Sequence, residues 1–404
     1  MAANVKFDLS LKNAVKTNTV GTVNIVALAK QMSLLESFIH ISTSFCQCGE
    51  SVLEEHAYQT NVSAEVVIHM INTMTDQALE AIKSQLLDEL QSIDRMTPLP
   101  APIINPVGPF ILSTQPGTGS FQDATTEKQI HFNSMVASWK EPVPGWVDNM
   151  NGPTGLIIGA GKGVIRSMLC NANYLTDIIP CDMAVNAVIA AAWQVGTKKS
   201  IKPIFLNATA NQENPISWGD ALEIGKEHVL ANPFSRPLWY PGGRLTSSKI
   251  LHWFAVLWLH TIPAYLLDIL LIITGNKPFM VRIQSRVNIG LELLQYYTMK
   301  QWIFRNDNLR DLHHRLCPSD RETFFMDTKL ISWNEYLLAY ILGTRQYYLK
   351  DDPSTLPRAR RIFMYLYFAD CLLKIAFGVL VSWIMYTWII SAKPIIATLV
   401  ETND

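Results

Sequence analysis

The segment Leu372–Ser391 (LLKIAFGVLVSWIMYTWIIS) sets the strongest limit on how this chain can fold. It is 20 residues long and carries one charge, Lys374, at its third position. About 20 consecutive apolar residues are what a helix needs to cross a bilayer core, and a lysine so near the end can reach the interface along its own stem. A transmembrane helix is therefore expected over 372–391. Arg358, Arg360 and Arg361 precede it and only Lys393 follows, which puts the N-terminal side in the cytosol. A second segment, Trp253–Ile273 (WFAVLWLHTIPAYLLDILLII), is weaker. Asp268 within it costs about 2.5–3.5 kcal/mol on insertion scales, and Pro263 would kink it. A span and a buried or interfacial helical hairpin both stay open there. The opening MAANVKFDLS has no apolar core of its own, so no signal peptide is expected.

Composition agrees with a folded, membrane-associated chain. Of 404 residues 49% are hydrophobic and 17% charged, against roughly 25% charged in soluble domains. Mean hydropathy is +0.14, which excludes general disorder. Lys+Arg 33 against Asp+Glu 34 gives a net charge of −1, so the basic footprint of a nucleic-acid binder is missing. Six cysteines form no disulfide framework, and Cys46-Gln47-Cys48 has no second pair at metal spacing. Reduced thiols on the cytosolic side are expected.

Along the chain, residues 1–48 read as helix then strand. Val23, Val26 and Ala27 share a helical face, and Phe38-Ile39-His40-Ile41 is a short apolar run ending in Ser42-Thr43-Ser44. Helix followed by buried strand is the unit of a parallel α/β sheet. Residues 75–90 predict an amphipathic helix with Leu79, Ile82, Leu86 and Leu90 inward and Thr75 as N-cap. Pro98, Pro100, Pro102, Pro106, Pro109 and Pro116 then break any helix, and 93–137 is expected to be irregular. Further on, Leu156-Ile157-Ile158 reads as strand, 181–195 as helix and 201–207 as strand; from about 245 the chain reads as helical.

Three motifs tempt a chemical reading. Gly159-Ala160-Gly161-Lys162-Gly163, with Asp182 about twenty residues on, approaches a dinucleotide fingerprint. Its spacing is GxGxG rather than GxGxxG, and no Ser or Thr follows Lys162 to make a P-loop, so a plain tight loop is expected. Tyr296-x-x-x-Lys300 has the spacing of a reductase acid and its lysine, but it lies in the late helical region, away from any expected sheet edge. His313-His314 lacks further ligands and reads as a solvated face. The triplets Asn61-Val62-Ser63 and Asn207-Ala208-Thr209 carry no weight without a secretory signal.

Other residues carry a family. Ala2-Ala3-x-Val5-x-Phe7-Asp8, Asn18-x-x-Gly21-Thr22, Phe38–Thr43, SWKEPVPGWVDN (138–149), GPTGLIIGAGKGVIRSM (152–168), Ile179-Pro180-x-Asp182 and Trp239-Tyr240-Pro241-Gly242-Gly243 resemble the alcohol-forming fatty acyl-CoA reductases. These are extended short-chain reductases. The tail from Met299 to Tyr348, with Lys300-Gln301-Trp302, Phe304, Asn306-Asp307-Asn308, Trp333, Tyr336 and Gly343-Thr344-Arg345, looks like the family's C-terminal helical domain. The resemblance implies an incomplete Rossmann-like α/β sheet domain followed by an all-α, membrane-associated domain. It divides the chain into a partial reductase domain (1–92), a Pro-rich irregular insert (93–137) and the rest of the reductase domain (138–240). A linker with a hydrophobic helical hairpin (241–289), a C-terminal helical domain (290–370) and the transmembrane helix (372–391) follow. It implies NADPH as cofactor, long-chain fatty acyl-CoA as substrate, fatty alcohol as product, and an endoplasmic reticulum or peroxisomal membrane with the catalytic side cytosolic. It places Thr43 at the catalytic hydroxyl and Ala2, Ala3 and Asn18 at the cofactor.

Two departures accompany the match. The family opens with a strand and a TGATGFLG-like turn that seats the cofactor pyrophosphate, and this sequence begins at what would be a later strand. The family also carries a Tyr-x-x-x-Lys helix before SWKEP, where the Tyr protonates the oxyanion made by each hydride delivery. Between 44 and 140 the only tyrosine is Tyr58, followed four residues on by Val62. The chain's own residues therefore predict an incomplete catalyst. A non-catalytic paralogue, or a truncated or mis-spliced remnant, is the alternative.

Overall fold

The computed structural model describes residues 10–47, 49–58, 64–79, 81, 127–197 and 204–401. Ala2 and Ala3, the expected helix beyond residue 81 and the proline-dense stretch 93–120 lie outside them.

Ser10 accepts the Asn13 N–H and starts a helix over Leu11–Ala14. It continues through a π-helical stretch, Val15–Val20, into a helix over Gly21–Ala29. Val26 and Ala29 are buried there, while Ala27 turns outward. The expected strand follows as β1 (Phe38–Thr43). It pairs in parallel with β3 (Glu127–Phe132), which pairs in parallel with β8 (Ile204–Ala208). Thr43 stands beside Phe132, and Phe132 beside Ala208, so the three strands end level at one edge.

Ile130 and Phe132 are buried on one side of β3, and Gln129 and His131 are buried on the other. A strand covered on both faces is what parallel sheets require. The helix Cys181–Thr197 supplies part of that cover through Met183, Ala184, Ala187, Ala190 and Ala191.

This corrects the expected irregular insert: within 93–137, residues 127–132 form the central strand and Ser134–Val136 forms β4. The prolines end at Pro116, and the apolar residues after them sit at strand spacing. A second correction concerns Leu156-Ile157-Ile158, which belongs to a helix, Pro153–Gly161. Three apolar residues in a row do not tell a strand from a buried helix. Pro153 in the first turn, where its missing N–H costs nothing, decides it.

Short pairs complete the frame. β2 (Val52–Leu53) lies parallel to β11 (Ile303–Phe304), and β4 lies parallel to β7 (Ile178–Pro180). β5 (Ser167–Leu169) lies parallel to β10 (Arg244–Thr246), and β6 (Leu175–Thr176) runs antiparallel to β9 (Ile216–Ser217).

The loop 138–147 is locked from two sides. The Asp182 carboxylate, 8% exposed, accepts the backbone N–H groups of Trp139, Lys140 and Glu141 at 3.0, 2.8 and 3.0 Å. Opposite it, Gly145 at φ +77° meets the helix Trp333–Gly343 so closely that a Cβ on Gly343 would lie 1.7 Å from the Gly145 carbonyl oxygen. Asp182, which in the sequence mimics a ribose-binding acid, is thus a loop anchor.

The C-terminal part is helical. Lys249–Ile273 forms one continuous 25-residue helix, long and apolar enough to cross a membrane, as does Pro353–Ile390. Pro263 falls in the first turn after a π-helical stretch, Leu257–Thr261, so its missing N–H is absorbed there. Asp268 accepts N–H groups from Phe279, Met280 and Val281 at 2.9, 2.8 and 2.9 Å, at the start of the helix Met280–Thr298. The charge that counted against an apolar helix serves as the acceptor at a helix N-terminus.

Candidate functional site

The carboxyl ends of β1 and β3 open on a cleft of about 190 Å³. Parallel sheets bind ligands at this edge. Thr43, the last residue of β1, lines it together with Phe45, Asn133 and Ser134. Thr176 and Asp177 enter from the β6–β7 junction, and Asn211 from the loop after β8. Of the three hydroxyls in Ser42-Thr43-Ser44, both serines are buried and Thr43 lines the cleft, its Oγ1 accepting the Phe45 N–H at 3.3 Å. Asn18 lies in the π-helical stretch 15–20, where its carbonyl accepts the Thr22 hydroxyl at 2.6 Å.

The far wall corrects a reading of the sequence. Tyr297, Thr298, Lys300, Trp302 and Phe304 line the same cleft as Thr43. The 296–300 segment is therefore at the sheet edge, not in a distal domain. Pairing of β11 with β2 and a hydrogen bond from the Thr298 hydroxyl to the Leu169 carbonyl, 2.8 Å, bring it back. The Phe45 ring meets those of Tyr297, Trp302 and Phe304 at 4.8, 5.2 and 5.5 Å. Tyr297, rather than Tyr296, faces the cleft, while Tyr296 packs on Tyr297 and Trp302. Lys300 Nζ lies 5.5 Å from the centre of the Trp302 ring.

Three cleft residues were not legible as site residues. Asp177, Asn133 and Asn211 are each 8% exposed. Asp177 Oδ1 accepts the Ala210 N–H at 2.9 Å, and burial pushes its carboxyl up to about 7. The only sequence signal was an acid five residues before Asp182. Behind the cleft, Glu55 accepts N–H groups from Asn207 and Asn308, and burial pushes it up to about 7. Asn207 also hydrogen-bonds His131 at 3.0 Å and the carbonyls of Leu53 and Arg305. Burial holds His131 down to about 4. The Asn207 of the glycosylation triplet is thus a buried cross-link between strands.

An apolar cavity of about 140 Å³ adjoins the cleft. Pro153, Leu156, Thr176 and Trp218 line both. Ile157, Ala160, Ala221, Leu222, Leu245 and Tyr340 form its body, and the exposed Lys226 and Arg244 stand at its rim. Gly159 to Gly161 of the Gly159–Gly163 motif are the end of the helix Pro153–Gly161, and Lys162 and Gly163, the latter at φ +73°, make the tight turn after it. A Cβ at Gly161 would come within 2.6 Å of the Phe234 ring, and one at Gly159 within 2.5 Å of Ile165. These glycines allow close packing, and their N–H groups are used inside the helix.

Among the described residues, no glycine-rich turn leads from this sheet into a helix, so they supply the Thr43 side of the edge and no pyrophosphate cradle. No cluster of metal-ligating side chains occurs among them.

Family profiles described as Male sterility protein match residues 1–94 with 122–188, and residues 259–351. The chain is 32% identical over 374 residues to fatty acyl-CoA reductase 1 of Rattus norvegicus, covering 89% of this chain and 67% of that protein. It is 33% identical over 376 residues to fatty acyl-CoA reductase 1 of Xenopus laevis and 32% over 366 residues to fatty acyl-CoA reductase 2 of Bos taurus, with the same coverage. Gly152, Pro153 and Leu156 of one block and Lys300 and Trp302 of another line the cleft beside Thr43, and this chain belongs to the fatty acyl-CoA reductase family.

Proposed function

We propose that the chain binds a long-chain fatty acyl-CoA with its thioester against Thr43 and its acyl chain in the apolar cavity, and reduces it to the fatty alcohol with NADPH. One observation carries this: the polar cleft at the sheet edge and the apolar cavity share a wall, which suits a ligand with a reactive polar centre and a long apolar tail.

The cofactor supplies two hydrides. Thr43 donates a hydrogen bond to the carbonyl oxygen as negative charge develops on it. Collapse of the first oxyanion would expel the CoA thiolate and leave the aldehyde, and the second hydride would give an alkoxide that takes its proton from solvent water. Ala2, Ala3 and Asn18 are proposed on the cofactor side by family resemblance. The two apolar helices are proposed to hold the chain on an endoplasmic reticulum or peroxisomal membrane with residues 1–371 cytosolic, where NADPH and acyl-CoA are present. Protease digestion of a C-terminal tag in sealed microsomes tests this; digestion without detergent overturns it.

A second reading is acyl-CoA binding without turnover. It is favoured by Tyr58, the only tyrosine between 44 and 140, whose hydroxyl accepts the Glu54 N–H at 2.6 Å. Calorimetric titration with palmitoyl-CoA, followed by chromatography of the products formed with NADPH, separates the two. Alcohol formation supports reduction; binding without alcohol selects the second reading; no binding sinks both.

A further inference from the structure

The helix Lys249–Ile273 is long enough to cross a membrane, but the molecule fixes where its chain leaves and returns. Its first half is pinned to residues 166–171, the stretch around β5. The His252 ring meets the Ser167 hydroxyl at 2.8 Å, and His260 Nε2 accepts the Arg166 N–H at 2.8 Å. After a turn at Gly275, φ +75°, the chain comes back as the helix Met280–Thr298. That helix ends on the same stretch. The Thr298 hydroxyl donates to the Leu169 carbonyl, the Thr298 carbonyl accepts the Asn171 N–H at 3.1 Å, and Leu291 packs in one cluster with Ile165 and Met168. Departure and return at one short stretch leave both ends on the same side of any membrane.

Depth and charge agree with that. The Trp258 ring lies 6.0 Å from the Phe377 ring, and Phe377 is about 8 Å along its helix from Leu372, where the expected span begins. Helices that lie in the plane of a membrane sit about 5–10 Å into the headgroup and acyl boundary. Leu266, Ile269, Leu270 and Ile273 are exposed, while the one acid of this arm, Asp268, is occupied by the N–H groups of Phe279, Met280 and Val281. The turn and the returning helix carry Lys277, Arg282 and Arg286, all exposed, with no acid between 274 and 288. One arm is apolar and the other basic, which suits acyl chains on one side and anionic headgroups on the other.

We propose that residues 249–298 form a hairpin that enters the cytosolic leaflet and leaves it on the same side, with the helix Lys249–Ile273 embedded and Lys277, Arg282 and Arg286 against anionic headgroups. This rests on the membrane reading above and adds to it a second anchor that does not cross. Ser167 and Met168, at the root of the hairpin, line the apolar cavity, so the hairpin holds that cavity beside the leaflet.

Two measurements on the full-length chain test this. In sealed microsomes, a membrane-impermeant maleimide should label Asn276→Cys as fully before detergent as after it, with the unsubstituted chain as the blank for its six cysteines. In vesicles of phosphatidylcholine and phosphatidylserine containing a photoactivatable phosphatidylcholine, illumination should attach lipid within 262–273 of the unsubstituted chain. Charge reversal by Arg282→Glu with Arg286→Glu should lower that attachment about fivefold and leave attachment within 372–391 unchanged. Label that appears only after detergent makes 249–273 a span and overturns the proposal. Label without lipid attachment in 262–273 overturns it too and leaves a second protein surface as the cover, and so does attachment that charge reversal does not lower. Lipid attachment in neither 262–273 nor 372–391 defeats the membrane reading itself.

Discussion

The loop 138–147 and the cleft beside it are built from similar residues and differ in one respect. In the loop every acceptor of Asp182 is occupied, by three N–H groups within 3.0 Å. In the cleft Asp177, as deeply buried, accepts the Ala210 N–H at 2.9 Å, and burial pushes its carboxyl up to about 7. Two aspartates five residues apart thus have opposite roles. Asp182 holds the frame, and Asp177 lines the cleft beside Thr43. Substitutions in the first region should cost folding, and those in the second should cost binding or turnover with the fold intact.

The hardest test of that division is Gly343→Ala. Its Cβ would fall 1.7 Å from a backbone oxygen of the 138–147 loop. Overpacking against backbone costs about 3 kcal/mol or more, so the variant should fail to give a folded, monodisperse chain in size-exclusion chromatography. A normally folded protein would show that the loop and the helix Trp333–Gly343 are not locked together. Next is Asp182→Ala, which strands three backbone donors; a loss of about 3 kcal/mol is expected in urea unfolding. If the loss is below about 1 kcal/mol, the anchor role is wrong.

On the cleft side, Thr43→Val should lower alcohol formation about 100-fold, the scale for one oxyanion donor. Palmitoyl-CoA affinity and thermal stability should not change. A parallel loss of stability would move Thr43 to the frame.

Glu55 belongs to the frame but titrates. Its folded carboxyl, at about 7 against an ordinary 4.5, keeps a proton that the unfolded chain has released. Stability therefore falls as pH rises from about 4.5 to 7. Glu55→Gln should reduce that fall by about 2 kcal/mol, allowing for the carboxyl's partial exposure. It should not abolish it, because Asp177, also near 7, acts in the same direction. His131, held at about 4, opposes both by gaining stability up to its ordinary 6.5. An unchanged slope in unfolding curves across that window would rule out burial of the Glu55 charge. The smallest effect is expected from Ala221→Phe, which fills the apolar cavity. It should weaken palmitoyl-CoA about tenfold and leave octanoyl-CoA nearly unchanged; equal effects on both would place the acyl chain elsewhere.

The sequence made the elements with strong periodicity legible: β1, the helix over 181–197, the strand near 204 and the two long apolar helices. It misled where one signal masked another. Proline density hid the central strand, β3, because the expected irregular segment was carried past the last proline. Asp268 and Pro263 seemed to weaken a helix in which one serves as a cap and the other falls in a first turn. The site was partly legible. Thr43 was marked by the family resemblance and lines the cleft, whereas Tyr297 and Lys300 reach the cleft only through a fold-back between residues some 250 positions apart, β2 and β11. Asp177 could not be told from Asp182 by composition, since what separates them is which N–H groups happen to surround each.

Asp370 joins the two halves of the molecule at a single carboxylate. It sits in the helix Leu356–Glu401 and accepts hydrogen bonds from Arg166 at 3.0 Å and Trp239 at 2.8 Å, and Lys374 pairs with it at 2.5 Å. Arg166 directly precedes β5, whose Ser167 and Met168, with Leu245 of β10, form one wall of the apolar cavity. A helix of 46 residues at 1.5 Å rise is about 69 Å long, and it is pinned to that wall about a third of the way from its N-terminal end. It works as a lever with its fulcrum at Asp370. Helices tilt to match the thickness of a bilayer they cross, so if this helix spans a membrane as proposed, its tilt is carried through Asp370 to the residues that wall the apolar cavity.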